Sequence, residues 1–327
     1  MGRKQLLLFP AVAALTLASC SGVKHNIAEY VLERDYTDGY KILQLTDTHI
    51  GDKDNTKLHY DFMDLTIQDA DPDLIVITGD VFTFASQSTI LEFFKYVDGH
   101  GIDWTVVWGN HDEQIYASID WVTGVLNTYG SHCIFKDIQD DDVQGNSNFA
   151  INLKKDGKVF EQLIFMDSNR YLYGSYFGYD YFKQNQIDWY SSLVDYTTAQ
   201  NGGTVVPSLM FYHIPLPEVT AAWEAAKLDP AAKINDGVLQ EEPCSPKYNS
   251  GFFKVIKDKG STKGMYFGHD HINSFLVKYQ GIDIGYGIKA TDRVYYDDAW
   301  LGGRVITIKA DHSLEYRDIH HTYAEVK

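Results

Sequence analysis

Five short apolar runs in this chain each stop at a cluster of Asp, Asn or His residues, and that recurrence constrains the fold more than any other feature. KILQLTD leads to Asp47 and His49, and LIVITGD leads to Gly79-Asp80. WTVVWGN leads to Gly109-Asn110-His111-Asp112, SLMFYH ends at His213, and the run from Met265 ends in Gly268-His269-Asp270-His271. Runs of this length, rich in β-branched and aromatic residues, read as buried strands. In open α/β sheets ligands gather at the carboxyl ends of strands, so clusters at five strand ends can converge on one cleft. A lone GD pair or strand-end histidine usually marks only a turn. Five of the 12 histidines in these clusters, each after an apolar strand, mark a site.

Between the runs lie amphipathic segments that predict helices over Lys57 to Ala70, Ser88 to Gly99, Tyr116 to Tyr129 and Asn185 to Thr197. Pro72 stops the first of them. LIFMDS adds a further strand, and the last third (SFLVKY, IDIGYG, RVITIK, SLEYRD) reads as strands with little helix between them. A βαβα beginning followed by a strand-rich end predicts a mixed α/β (α+β) chain, with two sheets packed face to face and helices outside. A length of 327 residues admits two domains. No linker, repeat or shift in composition divides the chain, so one domain over 38–327 is expected, preceded by a tether over 20–37.

Charge narrows the partners. With 28 basic and 45 acidic residues the net charge is −17, and no basic run stands out, which argues against binding a nucleic acid duplex. The first residues read as an address. Arg3 and Lys4 precede an apolar run from Leu6 to Ala18, shorter than the about 20 residues that span a bilayer. It ends in Leu17-Ala18-Ser19-Cys20, which resembles the lipobox of bacterial lipoproteins. That resemblance implies removal of 1–19, export to the cell envelope and membrane contact through an N-terminal lipid anchor only. The other reading is an ordinary signal peptide with Cys20 incidental. Removal of 1–19 takes two basic residues away, leaving 26 − 45 = −19. Cys133 and Cys244, the remaining thiols, read as structural or unpaired.

The five clusters together (DTH, GD, GNHD, H, GHDH) resemble the calcineurin-like metallophosphoesterase superfamily, whose motifs run D-x-H, GD, GNH[D/E], H, GHxH in the same order from Asp47 to His271. LTDTHIG, YHIPLPE, NSGFF, GHDHIN and GGRVI are similar to its purple-acid-phosphatase-like small members. The resemblance implies a four-layer αββα fold and an exported phosphoesterase with two transition metal ions. Asp47, His49, Asp80 and His271 would hold one ion, and Asp80, Asn110, His213 and His269 the other, with Asp80 bridging. Carboxylate, amide and imidazole donors suit Mn, Fe or Zn, divalent or mixed-valence. Two such ions can clamp the attacking and leaving oxygens of a phosphate ester while a bound hydroxide attacks. His111 would then be the general acid. Asp112 has two readings, a catalytic residue orienting that region or a capping carboxylate.

Departures qualify the resemblance. Asp80-Val81-Phe82-Thr83 lacks the tyrosine of true purple acid phosphatases, and Ile288 stands in YGIKATD where arginine is usual. The expected substrate is a small phosphorylated molecule, with monoesters favoured over diesters or nucleotides. A surface glycan-binding lipoprotein with vestigial catalysis is the competing class. Its candidate surface is the Tyr-rich stretch Arg170 to Phe182, which otherwise reads as a packed surface loop. The acidic stretch Asp137 to Asp142 reads as a solvated loop rather than a calcium site.

Overall fold

The computed structural model describes residues 26–53, 55–138, 140–172 and 178–326, so the expected signal segment and Cys20 lie outside the described residues. The strands are β1 (Val31–Asp35), β2 (Tyr40–Leu45), β3 (Leu74–Thr78), β4 (Asp103–Val107), β5 (Asn148–Lys155), β6 (Lys158–Met166), β7 (Ser208–Phe211), β8 (Thr262–Phe267), β9 (Leu276–Tyr279), β10 (Ile282–Tyr286), β11 (Gly302–Ile308) and β12 (Leu314–His320). The helices are α1 (Thr56–Ala70), α2 (Gln87–Asp98), α3 (Ile119–Leu126), α4 (Gln184–Gln200), α5 (Glu218–Leu228) and α6 (Phe252–Lys259). One sheet has the order β12-β11-β2-β3-β4 and the other β1-β5-β6-β7-β8-β10-β9.

The two sheets pack face to face because their strands alternate. In the seven-stranded sheet Phe149, Ile151, Leu163, Phe165, Leu209 and Phe211 point inward to a core shared with Ile42, Val76 and Ile306 of the other sheet. Phe149, Phe165 and Phe211 stack in turn, with ring centroids 4.8 and 5.4 Å apart. Their neighbours Ala150, Ile164, Met166, Met210 and Tyr212 point the other way, under α4, α5 and α6. Helices α1, α2 and α3 cover the five-stranded sheet. The result is the mixed α/β, four-layer αββα arrangement. Central strand β3, LIVIT, is buried at every position, as a strand covered on both faces must be.

Helix ends follow local chemistry. Asn55, Ser86 and Ser118 cap α1, α2 and α3 by accepting from Leu58 N, Thr89 N and Trp121 N. The Ser118 cap explains why the third helix starts later than Tyr116, whose N–H instead donates to Ala85 O at 2.8 Å. One expectation needs correction. The tether does not run to residue 37: Val31–Asp35 pairs in parallel with β5, and the preceding Tyr30 ring packs edge-on to Trp189 at 5.6 Å. Strand VLERD is an edge strand with two apolar residues, too few to show as an apolar run. The last third keeps to strands as expected: after α6, which packs on the core through Phe252, Phe253 and Ile256, no α-helix follows among the described residues. Its strands divide between the sheets, with β11 antiparallel to β2. Among the described residues no helix is long and apolar enough to cross a membrane.

Candidate metal centre

The parallel strands β2, β3, β4, β7 and β8 deliver the five polar clusters to one end of the sandwich. The turns after them are forced. Asp47, His49, Asp80 and His269 have left-handed backbones (φ 53°, 49°, 49° and 83°), a region that non-glycine residues seldom occupy outside functional sites. Close packing dictates the glycines beside them. A Cβ on Gly79 would lie 2.5 Å from His213 Nδ1, and one on Gly109 would lie 2.2 Å from Asp80 Oδ1.

Two buried groups of donor atoms result. Asp47, His49, Asp80 and His271 bring one ligand atom each within 4.8 Å of one another, and Asp80, His213 and His269 do the same. They share Asp80. Asn110 donates from Nδ2 to Tyr171 OH at 2.8 Å, which leaves its buried Oδ1 available as a ligand atom. His271 donates Nδ1–H to Tyr295 O (3.0 Å) and His213 donates Nδ1–H to Thr78 O (2.8 Å), which turns both Nε2 lone pairs into the cleft. Nε2 of His271 and Nε2 of His49 face each other at 3.0 Å.

Five buried polar atoms here have no hydrogen-bond partner: Asp80 Oδ2, Asn110 Oδ1, His213 Nε2 and both ring nitrogens of His269. His213 Nε2 lies 3.3 Å from Asp80 Oδ2 but without hydrogen-bond alignment. Leaving each such group unpaired costs about 1–3 kcal/mol. Apart from Asn110 Oδ1 they cluster in the Asp80, His213 and His269 group and fit a cation there, and with the adjoining Asp47, His49 and His271 donors the set is suited to a dinuclear metal site.

The electrostatics agree. Burial alone would raise the Asp47 carboxyl, but the hydrogen bond and charge of His271 and the charge of His213 hold it low. Burial pushes His269 down to about 3, so its imidazole is neutral. For His213 burial also acts downward, yet the negative charges of Asp80 and Asp47 outweigh it and push upward. The two carboxylates thus impose a negative field on the cleft, which favours a cation there. Thr46 Oγ1 donates to Asp47 Oδ2 (2.7 Å), and the His269 N–H donates to the same oxygen at 3.1 Å.

His111 sits at the open side, half-buried, with its ring edge-on to His49 at 5.2 Å. Its backbone N–H donates to Asp80 Oδ1 (2.7 Å), and Nδ1 donates to Gln114 Oε1 (2.8 Å), leaving Nε2 toward the cleft mouth. Asp112 corrects the catalytic reading. It is fully buried, and its two oxygens accept from Phe82 N and Gly109 N, each at 2.8 Å. It ties the β3 and β4 loops together and positions Asp80 and Asn110. Ile288, in place of the usual arginine, is buried.

Sequence reading missed several neighbours. Lys289 is buried and donates from Nζ to Asp47 O at 2.7 Å; burial pulls it down to about 8 against Asp47 and Asp80. Its one signal was a lysine inside an otherwise apolar strand end. The Tyr-rich stretch, of which 173–177 lie outside the described residues, forms a hairpin against the site. Tyr171 and Tyr179 stack at 5.6 Å, and Tyr179 lies edge-on to His269 at 4.4 Å. Tyr295 stacks on His271 at 4.2 Å. Cys133 and Cys244 are free thiols, and Cys244 stands beside His269 and Asp270 at ligand spacing. In the acidic loop Asp140 accepts from the Asp142 N–H at 2.9 Å, local hydrogen bonding within a surface turn.

Residues 40–284 match the pattern of the calcineurin-like phosphoesterases. The chain is 29% identical over 306 residues, covering 81% of it and 74% of the relative, to an Arabidopsis thaliana protein named "Probable inactive purple acid phosphatase 14". It is 28% identical over 267 residues to the phosphatase DCR2 of Saccharomyces cerevisiae, covering 73% of this chain and 45% of that one. Among solved structures, a dimetal phosphatase from Danio rerio shares the fold with a TM-score of 0.54 at 12% identity, over 83% of this chain and 96% of that one.

Proposed function

This chain belongs to the calcineurin-like phosphoesterase family, and from that premise we propose a two-metal phosphomonoesterase that acts in the cell envelope. It is a metal-dependent phosphoesterase. In the proposed centre Asp47, His49, Asp80 and His271 hold one ion and Asp80, Asn110, His213 and His269 the other. The ions are drawn from Mn, Fe and Zn, as the oxygen and imidazole donors favour. When bound, such a pair polarises a phosphoryl group and lowers the pKa of a water between or beside the ions.

The chain's own residues do the rest. Thr78 and Tyr295 carbonyls fix the tautomers of His213 and His271, and Asp112 holds the Asp80 and Asn110 loops in register. His111, oriented by Gln114, delivers a proton from Nε2 to the departing oxygen. Substrate is a small phosphorylated molecule, and the phosphatase names of the curated relatives favour monoesters. Export and a lipid anchor rest on Arg3, Lys4, the Leu6 to Ala18 run and Cys20.

The observation that carries this reading is a pair of buried donor groups that share Asp80, the second of them rich in buried atoms without a hydrogen-bond partner among the described residues. Relatives named inactive favour a silent binding protein as the second reading. This chain, however, has all seven ligand residues and His111 in place. Hydrolysis is tested by reconstituting the protein with Mn, Fe or Zn and assaying phosphomonoesters beside phosphodiesters. Turnover of monoesters supports the proposal. Full metal loading without turnover of either class supports the silent reading.

A further inference from the structure

Phe84 and Tyr116 form an exposed aromatic pair with no role in the core. Phe84 is 57% exposed and Tyr116 65%, and their ring centroids are 6.4 Å apart with planes inclined at 31°. Phe84 also has a left-handed backbone, φ 54°, which a bulky side chain rarely tolerates. A residue that is both strained and exposed contributes little to packing, and such positions cluster at functional sites. Its backbone is pinned there: Phe84 N donates to Gln114 O at 2.9 Å, and Tyr116 N donates to Ala85 O at 2.8 Å.

Gln114 connects the pair to the chemistry. Its N–H donates to His111 O at 2.8 Å and its Oε1 accepts from His111 Nδ1 at 2.8 Å. The aromatic pair and the proton donor are therefore parts of one hydrogen-bonded unit, with Gln114 between them. In the reading above, on which this inference rests, His111 meets the leaving oxygen. Whatever is attached to that oxygen then extends toward Phe84 and Tyr116. Both rings present faces that a flat group can stack on.

We propose that Phe84 and Tyr116 form a leaving-group subsite, selecting phosphate esters whose alcohol carries a flat aromatic ring. That ring can be bonded directly to the bridging oxygen, as in a phenol, or held further out, as in a nucleoside. The metal-loaded protein is titrated calorimetrically with inorganic phosphate, methylphosphonate, phenylphosphonate and a nucleoside 5′-phosphonate. A stacked ring gives about 10-fold tighter binding than methylphosphonate, and the arm that shows it identifies the source of the ring. In Tyr116→Ala and Phe84→Gly that advantage shrinks to about two-fold or less. The melting temperature of Phe84→Gly rises, because glycine accepts the left-handed backbone without strain. Tight phosphate binding with no advantage for either ring, or an advantage that survives both variants, overturns the subsite alone. Failure of phosphate itself to bind overturns the phosphoesterase reading and the subsite with it.

Discussion

The side-chain amide of Asn110 donates to the hydroxyl of Tyr171 at 2.8 Å, and this bond leaves the buried Asn110 Oδ1 as an acceptor without a partner among the described residues. Tyr171 in turn stacks on Tyr179, which lies against His269. Two tyrosines of one hairpin thus steady two side chains assigned to the same ion. Tyr171→Phe keeps the stacking and removes the hydroxyl, so the weaker-held ion should lose about 10–100-fold in affinity. Chelator competition measures this directly. Unchanged affinity would make the hydrogen bond incidental.

His111→Asn removes the proton but none of the donor groups. For alkyl phosphates, whose leaving groups need protonation, kcat/KM should fall by about 10²–10⁴-fold. Aryl phosphates should lose less, and metal content should stay at the wild-type level. The check is kcat/KM against leaving-group pKa for both proteins, in which the variant has the steeper slope. A uniform loss across the series would make His111 a phosphate-orienting residue instead.

Much of this site is legible in the sequence because its donors follow strand ends, where alternation and apolar runs are strong signals. DTH, GD, GNHD, H and GHDH sit within a few residues of buried β strands, and their order needs no tertiary knowledge. The supporting residues are illegible for the opposite reason. Lys289, Tyr171 and Tyr295 reach the site across 242, 61 and 24 positions of chain, through contacts that no local pattern encodes. Asp112 was ambiguous because a carboxylate in GNHD serves equally as catalyst or clamp until its two partners, Phe82 N and Gly109 N, are seen. The edge strand Val31–Asp35 was hidden by its charge, having only one parallel neighbour to satisfy.

Arg304 joins the two sheets from inside. It is fully buried on β11, paired through Nε with Asp318 Oδ1 (2.6 Å), and it donates to the Tyr286 and Ser274 carbonyls. Arg304→Met leaves Asp318 without its counter-charge and takes a donor from the Tyr286 and Ser274 carbonyls, of which Ser274 O keeps Asn235 Nδ2 at 3.0 Å. Breaking one side of such a buried pair costs about 3–5 kcal/mol. Urea unfolding measures the loss, and a change under about 1 kcal/mol would mean that the site relaxes or hydrates freely.

Glu161 predicts a pH dependence remote from the metal centre. Burial pushes its carboxyl from 4.5 up to about 8, and His312 Nδ1 lies 3.1 Å from Oε2. The folded protein therefore holds a proton that the unfolded chain releases above about pH 4.5. Stability from this group is fully present below the unfolded value and is lost as pH rises toward 8, at up to about 1.4 kcal/mol per pH unit. Glu161→Gln should flatten that decline between pH 5 and about 8, as melting curves across the range will show. An identical slope in the variant would assign the decline to other groups.

The central claim is that Asp80 serves two ions at once. Elemental analysis of the fully loaded, folded protein should find two transition metal ions per chain. Asp80→Ala, with its fold verified by circular dichroism, should lose both together, since each donor group loses a ligand and the ions lose the carboxylate that separates them. A folded wild type that takes up no metal on reconstitution, or an Asp80→Ala protein that still holds two ions, would contradict the account.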